Sequence, residues 1–186
     1  MRVTDQRALP VLVVLAIASL LLVTIPAIAQ TGPQPAGSSS QVFLPLAALA
    51  SPTNPLEQQV VDLTNQLRRE HNCPALTISP QLTVAARDHS QDMADNNYFS
   101  HDDLAGHSPQ WRAQQTGYSG LAGWENIAAG YSTASSVVSA WYNETPPNDG
   151  HRRNMLNCSL SDIGVGYGYN AGSAYSSYWT QDFGQQ

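Results

Sequence analysis

Apolar residues recur at helical spacing in two consecutive segments of the chain. The first segment follows Asn54-Pro55, a cap and first-turn pair typical of helix starts, and it ends before Cys73-Pro74. Its apolar positions are Leu56, Val60, Leu63 and Leu67. Ser79-Pro80 opens the second segment, which extends to about Asn97. Its predicted buried face comprises Leu82, Ala85, Ala86, His89 and Met93. The spacing predicts two helices and places His89 at the edge of the core rather than at a metal site.

Two shorter helices are predicted further along the chain. Ser108-Pro109 repeats the same start signal and predicts a helix over residues 108–115. Residues 132–142 carry Val137, Val138 and Trp141 on one side, which predicts a fourth helix. The stretch between these two helices is rich in glycine and is predicted to be a loop.

The hydrophobic period changes from helical to alternating near the C-terminus. Bulky Ile163, Val165, Tyr167 and Tyr169 alternate with Asp162, Gly164, Gly166 and Gly168. This pattern predicts a strand with one bulky face and one glycine face, and another backbone is expected to approach the glycine face closely. Residues 175–183 are predicted to return as a second strand and to complete a hairpin. Helices packed on a small, mostly antiparallel sheet give an α+β fold.

The first 29 residues have the pattern of a signal peptide. Arg2 and Arg7 precede an apolar run that ends in Ala27-Ile28-Ala29, a small-x-small pattern that a signal peptidase accepts. The run also approaches the length of a membrane-spanning helix, which is the alternative interpretation. The sequence favours cleavage, so the membrane is expected as a transient partner only. Secretion, or a position on the exterior of the cell envelope, is predicted.

Residues 30–52 are predicted to be a flexible linker, because residues 31–41 are mostly Gly, Pro, Ser and Gln. The linker ends in an apolar patch at residues 42–50, which is too short to span a membrane and whose role stays open. The remaining residues, 53–186, have the length of one domain and are expected to act as a monomer.

Charge excludes one class of partner. Without residues 1–29, the chain keeps six arginines against thirteen acidic residues, has no lysine and carries a net charge of −7. Nucleic acids require clustered positive charge, so no nucleic-acid partner is expected.

The two cysteines, Cys73 and Cys158, have two possible roles. In an exported chain an even pair is typical of a disulfide, which here would close a loop of about 85 residues and contribute roughly 4 kcal/mol. Alternatively, Cys158 is a nucleophile with His151 as its base. The disulfide is favoured, because an exposed thiol would be oxidised outside the cell.

Four motifs stand in a recognisable order along the chain. They are Tyr98-Phe99-Ser100-His101, Trp124-Glu125-Asn126-Ile127-Ala128, Trp141-Tyr142-Asn143-Glu144, and Gly150-His151-Arg152-Arg153-Asn154-Met155-Leu156. With the Asp162-Ile163-Gly164-Val165-Gly166 strand behind them, they resemble the CAP superfamily of cysteine-rich secretory, antigen 5 and pathogenesis-related proteins, in particular its bacterial extracellular members. The resemblance spans residues 55–186. It implies an α-β-α sandwich in which helices flank the small sheet.

The resemblance also implies a central cleft with two histidines and two acidic residues. Matched motif by motif, these are His101, Glu125, Glu144 and His151. In family members the cluster can bind zinc or another divalent cation, and two imidazoles with carboxylates suit such a metal. A structural cluster, in which these side chains only join loops, is the alternative.

Two functions are compatible with such a cleft. The first is a non-enzymatic secreted binding module for an extracellular lipid, glycan or protein. The alternative is a metal-dependent hydrolase or peptidase in which His101 and His151 hold the metal and Glu125 is the candidate base. Metal-free hydrolysis by Glu125 and Glu144 is a weaker option.

Two residues, Trp124 and His107, complicate this assignment. Trp124 stands where the family commonly has glycine, and its ring is expected to narrow the cleft or shift Glu125. His107 competes with His101 for the first histidine position, although its place before Ser108-Pro109 favours a surface role at a helix start.

Overall fold

A computed structural model describes residues 54–186. The predicted signal peptide, the linker and the patch at 42–50 lie outside the described residues. Within residues 54–186, no helix is both long and apolar enough to cross a membrane.

Five helices and four strands follow one another along the described chain. In order they are α1 (Pro55–Glu70), β1 (Thr77–Ile78), α2 (Pro80–Asn96), α3 (Pro109–Gln115), β2 (Leu121–Ala129), α4 (Ala134–Tyr142), α5 (Gly150–Met155), β3 (Asp162–Tyr169) and β4 (Ser177–Gln185). Asn54, Ser79 and Ser108 each cap the helix that follows by accepting a backbone N–H, and proline stands in the first turn each time. These three predicted helix starts are confirmed.

The four strands form one sheet in the order β1-β3-β4-β2. β1 pairs with β3 in parallel, while β3–β4 and β2–β4 are antiparallel. The predicted C-terminal hairpin is therefore confirmed, and β2 is an edge strand beside it.

Helices cover both faces of this sheet, so the predicted α-β-α sandwich is confirmed. On one face, the largest core cluster joins α1, α4, β3 and β4, and its members include Val60, Trp141, Ile163 and Trp179. On the other face, α2 packs Met93 and Ala94 against Ile127 and Tyr178.

The glycine face of β3 meets α2 at backbone distance. A Cβ atom at Gly164, Gly166 or Gly168 would overlap the backbone of Leu82, Ala86 or Ser90, respectively. The three glycines are two residues apart on the strand, and their helix partners are four apart, so one strand face follows one helix face. The close approach predicted from the sequence is this contact with α2.

One prediction of local structure was wrong, and one helix was not predicted. The segment predicted as a glycine-rich loop contains β2, which pairs with β4 from Leu121 to Ala129. Its signal is weak because both faces are buried between Glu125 and Ala128, so apolar and polar residues do not alternate. The sequence also did not predict α5, which has only six residues and no side-chain cap from Asp149.

The two cysteines form a disulfide, Cys73–Cys158, and neither is free. This confirms the first of the two roles expected for them and rules out Cys158 as a nucleophile. Cys73 lies just after α1 and Cys158 lies between α5 and β3.

A buried arginine supports the same junction. The sequence places Arg68 in the last turn of α1, where its charge suits the helix dipole, but the side chain is fully buried. Its guanidinium donates to the carbonyl oxygens of Pro74, Met155, Asn157 and Leu160 at 2.8–3.1 Å. Arg68 thus ties the end of α1 to the segment that carries Cys158.

Candidate functional site

Glu125 lies on β2, and its side chain is only 1% exposed. Each of its two carboxylate oxygens contacts one basic side chain. Oε1 is 2.6 Å from Nδ1 of His101, which follows α2. Oε2 accepts from Nη2 of Arg112, on α3, at 2.5 Å. Both carboxylate oxygens of Glu125 are therefore engaged within the protein.

Arg112 is a site residue that the sequence did not indicate. Besides Glu125, its Nη1 donates to the backbone carbonyls of His101 at 2.8 Å and His107 at 3.0 Å. It therefore fixes both the carboxylate and the loop that carries His101. A single arginine in a short predicted helix gives no sign of this role, because its partners lie outside the helix, 5, 11 and 13 residues away, and only the tertiary fold brings them to it.

The pKa of His101 is raised, mainly by its hydrogen bond to Glu125, while partial burial opposes the shift. The side chain is 54% exposed, so solvent reaches the rest of the ring. Glu125 thus holds the Nδ1 side of this imidazole and leaves the other side toward solvent.

A second carboxyl group, that of Asp182, lies opposite Glu125 in the β2–β4 register. Asp182 is 1% exposed, and neither side-chain oxygen has a hydrogen-bond partner within residues 54–186. Burial, reinforced by the negative charge of Glu125, raises the pKa of Asp182 well above its ordinary value. We therefore assign Asp182 as a neutral acid that can donate its proton toward Glu125.

Glu144 and His151 form the second His–Glu pair, on the other helical layer. Glu144 follows α4, and its Oε1 lies 2.5 Å from Nδ1 of His151. Its Oε2 accepts the backbone N–H of His151 at 3.0 Å. Since Asp149 gives no side-chain cap, Glu144 satisfies an N–H in the first turn of α5.

The two His–Glu pairs line one cavity of about 320 Å³. Asn148, Gly150 and Asn154 complete its wall. Asn154 also donates to the carbonyl of Glu125 at 3.1 Å and to Oδ1 of Asn126 at 2.9 Å, which holds α5 against β2. The structure thus brings all four residues of the cleft predicted from the resemblance to one place.

The hydrogen bonds of the cleft distinguish the two ring nitrogens of each histidine. Each histidine uses Nδ1 toward a glutamate, and neither Nε2 has a hydrogen-bond partner within residues 54–186. An imidazole that shares Nδ1–H with a carboxylate has its lone pair at Nε2, as metal-bound histidines commonly do. The Nε2 atoms of His101 and His151 are thus the cleft atoms that could coordinate a cation, while Glu125 and Glu144 hold Nδ1 of the two rings. In the described chain, no three His, Cys, Asp or Glu side chains are grouped as metal ligands.

An aromatic cavity of about 310 Å³ adjoins the cleft and shares Glu144 and His151 with it. Its other walls include Phe99, Tyr131, Trp141 and Tyr175. Phe99 is 46% exposed and Tyr175 is 52% exposed, with their rings 6.3 Å apart. The polar cleft therefore continues into an apolar surface.

The remaining candidates lie outside the cleft wall. Trp124 packs against the core cluster of α1 and α4, and Glu125 points to the opposite face of β2. His107 bonds to Asp103 at 2.9 Å and stacks on Trp111. His89 is buried at 1% exposure and lies 3.0 Å from the carbonyl of Ser100 through Nε2.

Several known proteins are similar to this chain. It is 41% identical over 127 residues to the uncharacterized protein YkwD of Bacillus subtilis, which covers 68% of this chain and 46% of that protein. It is 33% identical to the uncharacterized membrane protein YlbC of the same organism, over 68% of this chain and 34% of that protein. The chain thus matches less than half the length of either relative.

Two solved structures are also similar to this chain. A crystal structure of an extracellular protein with an SCP domain from Bacillus anthracis superimposes with a TM-score of 0.61 at 36% identity, over 73% of this chain and 45% of that one. An outer surface protein of Borrelia burgdorferi shares the fold, with a TM-score of 0.63 at 23% identity, over 73% of this chain and 96% of that one. The sequence model of the family described as "CAP: Cysteine-rich secretory protein family" matches residues 61–183. With that match and the shared architecture, the chain belongs to the CAP family.

Proposed function

We propose that this CAP domain is a secreted, non-enzymatic binding module whose cleft holds a divalent cation between His101 and His151. The observation that carries the proposal is the pairing of each Nδ1 with a glutamate, which leaves Nε2 of both rings without a protein partner. Such a cation would supply a positive anchoring point for an oxygen atom of a ligand. Glu125 and Glu144 orient the two rings by holding Nδ1 of each.

The state of Glu125 supports binding rather than hydrolysis. A general base needs a free oxygen within reach of a water or substrate proton. Both oxygens of Glu125 are engaged by His101 and Arg112, and the side chain is 1% exposed. The seven residues that line the cleft include no hydroxyl or thiol that could act as a nucleophile.

The neighbouring aromatic cavity supports a ligand with both polar and apolar parts. Phe99 and Tyr175 offer exposed rings beside His151, so an apolar group can lie there while an oxygen atom reaches the cleft. An extracellular lipid, glycan or protein can present both. Export is supported by the signal-type N-terminus and the disulfide, and by the extracellular and outer-surface descriptions of the two structural relatives.

Activity assays test the non-enzymatic part of this proposal. Purified protein, loaded with zinc, is incubated with a peptide library, p-nitrophenyl esters and cell-wall glycan, and products are followed by mass spectrometry. We expect no turnover above that of the His101→Ala plus His151→Ala variant. Reproducible turnover that this variant loses, and that His71→Ala keeps, would contradict the proposal in favour of a metal-dependent hydrolase.

A further inference from the structure

Strand β2 has one edge that is not paired with another strand. The sheet order β1-β3-β4-β2 places β2 at the side of the sheet, where it pairs with β4. In an antiparallel pair, alternate residues direct their N–H and C=O groups toward the partner strand and away from it. The N–H of Gly130 donates to the carbonyl of Ser177, which lies opposite it. Even-numbered residues of β2 therefore pair with β4, and Glu125, Ile127 and Ala129 direct their main-chain groups outward.

Helix side chains close part of this outer edge. Asn154, on α5, donates to the carbonyl of Glu125 at 3.1 Å. Nε1 of Trp141, on α4, donates to the carbonyl of Ile127 at 3.2 Å. Ala129 is partly buried, and within residues 54–186 neither its N–H nor its C=O has a hydrogen-bond partner on this side. Unpaired main-chain groups on a strand edge are a template for another strand.

The aromatic cavity beside the cleft lies along this edge. Ile127 and Ala129 are among its lining residues. Phe99, in the segment that follows α2, forms one wall, and Trp141, on α4, forms another. Because α2 and α4 cover opposite faces of the sheet, the edge of β2 lies between these two walls. The outward N–H and C=O of Ala129 therefore face the cavity.

The chemistry of this cavity favours an extended peptide over the other ligand classes. Strand addition combines main-chain hydrogen bonds, which give affinity, with pockets for side chains, which give specificity. An extended main chain carries both the acceptor and the donor that Ala129 requires, whereas an acyl chain carries neither. The exposed rings of Phe99 and Tyr175 offer contact to one bulky side chain, and the cavity volume of about 310 Å³ suits a group of that size.

We propose that the open end of β2 binds an extended peptide by strand addition. One peptide residue accepts the N–H of Ala129 and donates to its C=O, and a bulky apolar side chain of the peptide contacts Phe99 and Tyr175. Trp141 occupies the next outward carbonyl, so the added strand is short. This inference names the ligand class of the proposed binding module and rests on that function, but it requires no cation in the cleft.

Amide hydrogen exchange and ¹H–¹⁵N NMR of the purified protein test the pairing. In the free protein, we expect the amide of Ala129 to exchange about tenfold faster or more than that of Ala128, which pairs with β4. The probes are acetyl-Ala-X-Ala-amide tripeptides in which X is Phe, Tyr or Leu. At millimolar concentration they should shift the Ala129 amide and slow its exchange. Methylation of the peptide nitrogens, one at a time, should weaken binding about fivefold at one position.

Protein variants test the same contacts. Ala129→Pro removes the outward N–H and leaves the β2–β4 ladder intact, because that N–H is not part of it. Ala129→Ser keeps the N–H and is the matched control, so we expect only the proline variant to weaken peptide binding, by about fivefold. Tyr175→Ala should weaken binding as well. Tyr169→Ala, which removes a similarly exposed ring outside the cavity, should not.

Four results would overturn the proposal: slow exchange of Ala129 in the free protein, no shift of Ala129 by any of the tripeptides, methylated peptides that all bind like their parent, or tighter binding of decanoate or chitotetraose at the same residues. His101→Ala separates this site from the cleft, because His101 does not line the aromatic cavity. This variant should bind the peptide as the wild type does, and a loss would assign the peptide to the cleft. Zinc binding by a protein that binds no peptide would refute this inference alone.

Discussion

Glu125 is the residue on which the charges of the cleft converge. Arg112 and His101 contact its two oxygens, and the carboxyl of Asp182 lies opposite it on the neighbouring strand. A buried carboxylate needs such partners, and a second buried acid beside it can hardly ionise as well. The raised pKa of Asp182 therefore makes it the acid that keeps its proton, beside the ion pair of Glu125 with Arg112.

The pKa of His101 should depend on Glu125. The hydrogen bond to Glu125 raises it, so Glu125→Gln should lower the pKa of His101 toward or below its ordinary value. In the wild type, this hydrogen bond contributes its whole stabilisation when the pH is below the ordinary histidine pKa. The contribution is lost as the pH rises through the raised pKa of His101 in the folded protein. ¹H–¹⁵N NMR of the imidazole signals measures the pKa, with His107 as an internal control. An unchanged pKa of His101 would refute the assigned cause.

Asp182 should make the protein less stable as pH rises. Its folded pKa is raised, so above the unfolded pKa the unfolded chain releases a proton that the folded chain keeps. Asp182→Asn removes this pH-dependent loss of stability, and the asparagine amide can still donate a hydrogen bond to Glu125. We expect the variant to gain about 1 kcal/mol or more over the wild type at pH 7, and less at pH 4, in urea unfolding. Asp95→Asn, on the exposed side of α2, should gain nothing, and a pH-independent effect of Asp182→Asn would contradict a neutral Asp182.

At the scale of elements, α2 can approach β3 closely because the strand has only glycines on that face. The strand offers no side chains on that face, so the helix backbone takes their place, at Leu82, Ala86 and Ser90. Ser90 adds hydrogen bonds to the carbonyl of Gly166 at 3.1 Å and to Oγ1 of Thr180 at 2.8 Å. The distance between helix and sheet therefore leaves no room for one methyl group.

Gly166→Ala should separate α2 from the sheet. The added Cβ would overlap the backbone of Ala86, which cannot move alone, and we expect a loss of about 1–3 kcal/mol or more. Thermal unfolding by circular dichroism measures it. Gly123→Ala is the matched control, because nothing lies within 4 Å of a Cβ added there. Equal melting temperatures of the two variants would contradict the close approach.

The sequence predicted those elements whose signals are local. Three helix starts with a cap and proline, and the alternating strand with its glycine face, were predicted and are confirmed. β2 was not, because a strand buried on both faces and interrupted by Glu125 and Asn126 lacks the alternation that identifies a strand. α5 was not, because a six-residue helix whose cap comes from Glu144 carries no local start signal.

The site residues likewise divide into those that the sequence predicted and those that it missed. The four cleft residues came from motifs whose order resembles a family, and the structure places all four in one cavity. Arg112 and Asp182 were missed, because their roles depend on partners that only the tertiary fold brings together. Arg68 was assigned to a helix end on local grounds, although three of its four partners lie 87, 89 and 92 residues away.

At the scale of the whole molecule, the disulfide and Arg68 join the two ends of the domain. Cys73 bonds to Cys158, and Arg68 donates to carbonyls on both sides of the same junction. Both links hold the segment that leads from α5 into β3. The cleft wall formed by α5 thus depends on a connection to α1 behind it.

Arg68→Met should destabilise the whole domain. It keeps much of the side-chain volume but leaves four carbonyl oxygens without their donor, a loss of roughly 3–5 kcal/mol. Arg69→Met, on the exposed side of the same turn, should change stability by less than about 0.5 kcal/mol. Urea unfolding of the oxidised proteins compares them. A stability of Arg68→Met equal to that of Arg69→Met would refute the structural role.

The cation held by His101 and His151 is the central claim, and isothermal titration of the purified protein with zinc tests it most directly. We expect one site per chain, with an affinity that increases as pH rises through the raised pKa of His101, since the metal needs a neutral ring. The His101→Ala plus His151→Ala variant should lose the site, while His71→Ala, at the exposed end of α1, should keep it. A wild type that binds neither zinc nor manganese, or a double variant that binds as tightly as the wild type, would contradict the account.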